Sequence, residues 1–533
     1  MLFSCVDNSL SEDIEIDNKR DNNSNLSNKL LTDETIEHIK TLLENSFLSW
    51  WQAIHTGGAS FNPQVMADAA TSSWGNYGMR DLSSEPRAEF DNSQDYQYQD
   101  GFADVMWNLY SCISAMTDIR RSLILDGVKL ETDSVTTRAK AYSNFLLGIS
   151  YGSLATIYDK AIFFDETTDF SNPLSMKDYT ELNDLAIGYL KKSIAISDTS
   201  DFDIPKEWMK VENYTNDSLK ALSHSFIARY TSAIARTQAE RNALDWTEVK
   251  SNAEKGQPFS PVGDGEYWYS RAQYYAGVSA SWGRSDYKML GPADKSTGYA
   301  NWLGTSVNNR AAFTMETDDA RITGPLDADD KQTQGLYALN EYRTRLIASR
   351  GTYHQTYYLF NRTRDYAVDQ GLVGPMKDIN QSELDLLQAE AALRSGDAAG
   401  AATLINKTRV SNGALTAAAA GDGIGSVSEA ANALDGGSLW AKYKYEAILE
   451  NCYMHPYTTY TLRRGWGDLV KGTLTMFPIP GDILEYMLLD YYTFGGVDNA
   501  GKPGTADKSK FNIGQPTIKP RLQKFPKNIE KLE

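Results

Sequence analysis

Apolar residues at helical spacing, gathered into paired segments, constrain this chain more than any other feature. Phe145, Ile149, Leu154 and Ile157 mark a helix over residues 134–158. Tyr179, Leu182, Leu185, Ile187, Leu190 and Ile194 mark a second over 177–196, capped near Ser175. Only a short loop rich in Asp and Thr, with Pro173, separates the two. Side chains that return every three or four residues make one buried stripe per helix. Two such helices on a short connection fold back as a hairpin. A lone hairpin leaves part of its apolar surface bare, so neighbouring hairpins must cover it.

More segments fit this scheme. Ile36, Ile39, Leu42, Leu43, Phe47 and Trp50 predict a first helix, N-capped at Thr32 and ended by Gly57-Gly58. Phe102, Val105, Met106, Leu109, Ile113 and Met116 predict one over 100–126. Leu219, Leu222, Phe226, Tyr230 and Ile234 predict another over 216–241. Residues 381–395 and 397–410 form a tight pair across Gly396-Asp397, and 438–453 supplies a further helix. The pairs share length and pattern but no strict period, so the repeat is degenerate. The expected class is mostly α, a tetratricopeptide-like helical-pair scaffold lying mainly in 100–257 and 381–466. A large irregular, loop-rich part, mainly 57–99 and 258–350, completes it.

The helical pattern lapses between Pro258 and about Gly335, too long a stretch for an ordinary connection and so a functional insertion. Inside it, Trp282 to Trp302 carries two tryptophans and two tyrosines on a glycine-punctuated tract read as loop. Trp74-Gly-Asn-Tyr77-Gly-Met-Arg80 is a second such cluster. Flat rings on loops, beside Asn, Arg and Asp, suit the C–H face and hydroxyl rim of a sugar. Residues 417–437 are Ala/Gly-rich and predict a flexible excursion. From Phe477 onward the chain reads as irregular structure packed over the helices.

A formal net charge of −18 excludes a nucleic-acid partner, because phosphate contact needs clustered Lys and Arg. It also disfavours a strongly anionic polysaccharide unless arginines gather locally to override the global sign. No run approaches the roughly 20 apolar residues of a membrane-spanning helix. Cys5 ends Met-Leu-Phe-Ser-Cys and precedes an acidic, Asn/Ser-rich run from Asp7 to Asn28. This resembles the end of a bacterial lipoprotein signal, with Leu2 and Ser4 at lipobox positions and Cys5 acylated. Residues 1–31 are therefore expected as lipid anchor and flexible tether, and 32–533 as one domain. Cys112 and Cys452 sit in apolar helical patterns and are expected as buried free thiols.

The motifs for catalysis are missing. His38, His55, His224, His354 and His455 are scattered and make no zinc-binding spacing. No nucleophile elbow, Walker loop or dinucleotide fingerprint occurs. Asp318, Asp319, Asp327, Asp329 and Asp330 are the most clustered acids for a glycosidase pair, but nothing fixes two of them around one bond. The run Asp327 to Asp330 lacks the Gly and terminal Glu of an EF-hand, leaving structural calcium as a weak reading and no cofactor expected.

Several segments carry a family resemblance in order. Arg138-Ala-Lys-Ala-Tyr142 with Leu147, Tyr151 and Gly152 resembles the early helix of the SusD-like (RagB/SusD) proteins of Bacteroidetes. Lys220-Ala-Leu through Ala228-Arg229-Tyr230 is similar to a later helix of that family. Gln388-Ala-Glu390-Ala391, Gly396-Asp397, Ala402 and Leu404-Ile-Asn406-Lys-Thr-Arg409 look like its most recognisable pair. Tyr445-Glu446, Leu462-Arg-Arg464-Gly-Trp466-Gly and Phe477-Pro-Ile-Pro480 resemble its C-terminal signature. The stretch Glu446 to Tyr460 departs from the family's fuller run before the Arg-Trp.

The resemblance implies an outward-facing outer-membrane lipoprotein, non-catalytic, with four tetratricopeptide-like pairs opposite an irregular ligand-binding part. It would bind an oligosaccharide or polysaccharide and deliver it to a SusC-type TonB-dependent transporter. Trp74, Tyr77, Trp282, Tyr299 and Trp302 match the family's aromatic platform by segment, with Arg80, Arg284 and Asn301 as hydrogen-bonding partners of hydroxyls or a uronic carboxylate. Trp50, Trp51, Trp107, Trp440 and Trp466 fall on helical faces and are expected in the core. Two other readings stay open: a helical-repeat scaffold that binds only protein and, less favoured, a surface glycosidase.

Overall fold

The computed structural model describes residues 33–278, 282–347 and 354–499. Cys5, the expected tether and the tail from 500 lie outside the described residues. The helices of nine or more residues are α1 (Asp33–Trp51), α2 (Gln99–Arg120), α3 (Asp133–Ile157), α4 (Tyr179–Ser197) and α5 (Asn216–Ala233). They continue as α6 (Trp246–Lys255), α7 (Gln381–Ser395), α8 (Ala398–Arg409), α9 (Leu439–Asn451) and α10 (Thr458–Trp466). Each packs on its successor along most of this series, and α7 touches both α8 and α9. The result is the expected mostly α stack of helical pairs. The main apolar core runs through it, enclosing Trp50, Trp51, Trp440 and Trp466, and a smaller cluster around Trp246 and Val249 joins α5, α6 and α7. Trp107 is only half-buried, while Cys112 and Cys452 are buried free thiols.

Two glycines of α3 set how closely its neighbours approach. A Cβ on Gly148 would lie 2.6 Å from Leu190 of α4, and one on Gly152 would run into the Tyr230 ring of α5. That ring's hydroxyl donates to the Ile149 carbonyl, 2.8 Å away. Two buried arginines then close the helix ends. Arg236 donates to the carbonyls of Thr156 (2.5 Å) and Tyr158 (3.2 Å), at the C-terminus of α3. Arg464 reaches Thr156 (3.1 Å) and, on α5, Ala233 (2.5 Å). Guanidinium donors at the negative ends of helices satisfy carbonyls left without intrahelical partners. The Arg464 of the signature motif is thus a clamp between helices.

Some boundaries differ from expectation. Helix α4 begins at Tyr179 under an Asp178 cap, because Ser175–Asp178 pairs as a strand with Lys160–Phe163. Helix α5 stops at Ala233, and Thr237 caps a separate short helix, Gln238–Asn242. The tract 417–437 is tied down rather than free: Ala433 N–H donates to the Pro292 carbonyl (3.0 Å) and Lys442 pairs with Asp422 (2.6 Å).

The insertion is anchored by one buried ionic knot. Arg321 donates to Asp319 (2.7 Å) and, on α9, to Glu446 (2.6 Å) and Glu450 (2.9 Å). The Tyr445 hydroxyl donates to Asp319 and that of Tyr337 to Glu450. Burial pushes the Glu446 carboxyl up despite Arg321, since three acids share this cation. Asp319 is therefore spent on structure, and a glycosidase role for it is withdrawn. Asp327 to Asp330 forms the turn of a hairpin between Thr323–Leu326 and Gln332–Gln334, with Asp327 accepting from the Asp329 and Lys331 N–H groups.

Candidate functional site

A short antiparallel pairing, Ala70↔Ser285 and Thr71↔Arg284, builds the site by bringing two distant segments together. Trp74 and Trp282 follow and precede these strands, and their rings meet edge to face at 6.4 Å. Trp282 also meets Tyr274 (5.6 Å) and Tyr275 (5.3 Å) of the short helix Arg271–Gly277. Tyr77 sits at φ 55°, a left-handed conformation costly for a side-chain-bearing residue. Asn62 holds it there by donating to its carbonyl (2.6 Å), and its ring lies against Gly58.

Arg271 joins these rings. Its guanidinium lies 5.1 Å from the Tyr77 ring centre and 5.6 Å from those of Tyr269 and Tyr275. It donates to the hydroxyls of Tyr269 (2.7 Å) and Tyr275 (3.1 Å), and through Nε to the carbonyls of Thr56 and Gly57. Trp74, Tyr77, Tyr269, Arg271, Tyr274 and Trp282 are all half-buried. Together they form a ledge of apolar ring faces interrupted by phenol and guanidinium donors, the combination that amphipathic rings bring to wet binding surfaces.

Of the residues expected from sequence, the structure brings Trp74 and Trp282 together, joins Tyr77 to them through Arg271 and Tyr275, and leaves Arg80 exposed next to Gly75. Sequence reading missed Tyr269, Arg271 and Tyr274. The signal was present, since Tyr267, Trp268, Tyr269, Tyr274 and Tyr275 crowd one stretch of the insertion.

The remaining expected residues stand elsewhere. The tract Trp282 to Trp302 is not one loop, for Gly298–Gly304 is a helix that turns Trp302 inward and leaves Asn301 exposed. Trp302 is 3% exposed, beneath Arg310 (4.3 Å) and beside His354 (4.7 Å) and Tyr287 (5.5 Å). Tyr299 is half-buried and stacks on Trp302 at 6.2 Å. Arg284 is fully buried and pairs with Glu341 at 2.5 Å. Trp302 and Arg284 as surface ligand contacts are therefore corrected: one packs the insertion and the other neutralises a carboxylate.

The histidines, scattered in sequence, partly converge in space. His354 bridges Asp286 (2.6 Å) and Glu85 (3.2 Å), and Lys288 bridges Asp68 (3.0 Å) and Glu85 (2.7 Å). Burial opposes charge on His354, but Asp286 and Glu85 outweigh it and push the imidazole up to about 9. His55 and His455 flank Asp378 at 3.0 and 4.0 Å, and burial keeps both below the usual histidine range. The ligand atoms of Asp68, Asp286 and His354, and those of His55, Asp378 and His455, lie within 4.8 Å of one another. Lys288 already pairs with Asp68 and Arg229 with Asp378, so protein cations balance both groups.

No protein-family model and no curated protein matches the chain. Solved structures do. A SusD superfamily protein from Bacteroides vulgatus superposes with a TM-score of 0.52 at 13% identity, covering 84% of this chain and 96% of its own. Another, from Bacteroides thetaiotaomicron, gives 0.52 at 14% identity, with the same 84% and 96% coverage. At this identity the likeness establishes the fold.

Proposed function

We propose that this chain, folded as SusD superfamily proteins are, binds an oligosaccharide or polysaccharide on the ledge of Trp74, Tyr77, Tyr274 and Trp282. The observation that carries this reading is the convergence of half-buried rings around Arg271 at a single surface. Each ring face packs on the C–H face of a pyranose, worth about 1 kcal/mol or more by analogy with base stacking. Phenol and guanidinium groups between the rings hydrogen-bond sugar hydroxyls, fixing the ring's orientation. No covalent step is involved, so the role is capture.

The wider role follows the fold by analogy. The protein would be held on the outer membrane through a lipid on Cys5 and would pass its glycan to a SusC-type TonB-dependent transporter. Affinity electrophoresis in gels cast with neutral and acidic polysaccharides tests the capture step. A binder is retarded by at least one glycan, and Trp282→Ala restores its mobility. Retardation that survives loss of both Trp74 and Trp282 would move the site away from the ledge, and a protein slowed by no glycan would favour a scaffold that binds only protein.

A further inference from the structure

Arginines gather around the ledge of an otherwise acidic chain. The sequence holds 70 acidic against 52 basic residues, yet arginines surround the aromatic rings. Arg80 and Arg271 stand on one side. On the other, Arg284 is two residues past Trp282, and the charges of Arg345 and Arg343 act on its guanidinium. The segment bearing those two is fixed beside Trp74 by the Ile347 N–H, which donates to the Ser73 hydroxyl at 3.0 Å. Two carboxylates answer these five cations: Asp81 pairs with Arg80 (3.4 Å), and Glu341 is shared between Arg284 (2.5 Å) and Arg345 (3.5 Å).

Arg343 is exposed, and neither it nor Arg271 has an acidic partner among the described residues. The hydrogen bonds of Arg271 to Tyr269 and Tyr275 occupy one N–H on each terminal nitrogen, leaving a second on each uncommitted. A guanidinium in that state keeps one N–H donor on each terminal nitrogen for a carboxylate or sulfate. Low-dielectric ring faces around it strengthen such a contact relative to one in open water.

We propose that the ledge selects an acidic glycan. Its carboxylate or sulfate groups are held by Arg271 and by the Arg343–Arg345 side, while Trp74, Tyr77, Tyr274 and Trp282 stack on the sugar rings. This rests on the ledge being the glycan site, and it reverses the partner preference expected from net charge alone.

The test measures affinity by calorimetry for pectic, alginate and chondroitin oligosaccharides and for sulfated carrageenan oligosaccharides. Each is compared with its methyl-esterified or desulfated form, and xyloglucan and mannan oligosaccharides serve as neutral ligands. The expected result is an acidic ligand bound roughly tenfold or more tighter than its neutralised form. That gap should narrow with added NaCl. Carboxylate and sulfate arms identify which anion is read.

The double variant Arg343→Gln/Arg345→Gln, at one exposed and one half-buried position, should lose most of the acid preference yet keep stacking on the neutralised ligand. Arg271→Lys retains charge but not the two-nitrogen donor set and loosens the rings that Arg271 holds, so it should weaken both ligands and the acidic one more. A neutral glycan bound as tightly as any acidic one, and lost in Trp282→Ala, would keep the ledge and overturn the charge selection. Acid preference unchanged in both arginine variants would overturn it too. Binding to none of the panel would remove both readings.

Discussion

Trp74 and Trp282 meet edge to face at an interplanar angle of 86°, across a strand pairing in which Thr71 opposes Arg284. Rings in this arrangement support each other's orientation, because the positive edge of one faces the negative face of the other. Trp282→Ala should therefore cost more binding than its own contact area suggests, about ten- to a hundredfold in oligosaccharide affinity. Trp74→Ala should have a similar effect, and the double variant less than the sum, as expected for touching residues. Titration calorimetry on the singles and the double checks this. Additive losses would mean that the two rings act on separate ligand segments.

Trp302→Ala should behave in the opposite way. Its indole is enclosed by Arg310, His354 and Tyr287, so truncation opens a cavity and destabilises by about 3–5 kcal/mol. Ligand affinity of the folded fraction should stay the same. Denaturant unfolding beside calorimetry separates the effects, and a large affinity loss without destabilisation would return Trp302 to the binding surface.

Two glycine variants distinguish site from scaffold. Gly58→Ala places a methyl group against the Tyr77 ring, displacing a ledge residue, and should weaken ligand while costing little stability. Gly152→Ala drives a methyl group into Tyr230 between α3 and α5 and should destabilise by about 1–3 kcal/mol, with affinity intact. Reversal of the two phenotypes would mean that Tyr77 is a packing residue.

The His354 cluster predicts a pH dependence. Its folded pKa of about 9 stands above the ordinary 6.5, so its stabilisation is complete below 6.5 and is lost as pH rises through 9. The contribution amounts to as much as about 3 kcal/mol. Melting temperatures of wild type and His354→Gln should differ most below pH 6.5 and converge only once pH has risen past about 9. A constant difference across that range would show that the imidazole does not titrate with folding.

Most of the scaffold was legible because apolar periodicity reports burial directly. The pair α7 and α8 appears where Gly396-Asp397 predicted it, with Gly396 left-handed and Asp397 accepting from the Gly400 N–H. Boundaries failed where a second structure competed for the same residues, as at Ser175–Asp178. The site was half legible. Trp74, Tyr77 and Trp282 stood out as rings without a helical face, whereas Trp302 sits on a seven-residue helix too short to reveal a stripe. Arg271 was invisible because its partners Thr56 and Gly57 are remote in sequence. The signature residues Glu446 and Arg464 proved structural, one knotting the insertion to α9 and the other joining helix ends.

Arg271 fastens the helix that follows Ser270 to the carbonyls of Thr56 and Gly57, just beyond the end of α1. A sugar seated there would span regions made early and midway through synthesis, so a truncated product lacking the middle insertion should be unable to hold one. Occupancy would in turn brace that junction, raising resistance to unfolding with the logarithm of free ligand over its dissociation constant.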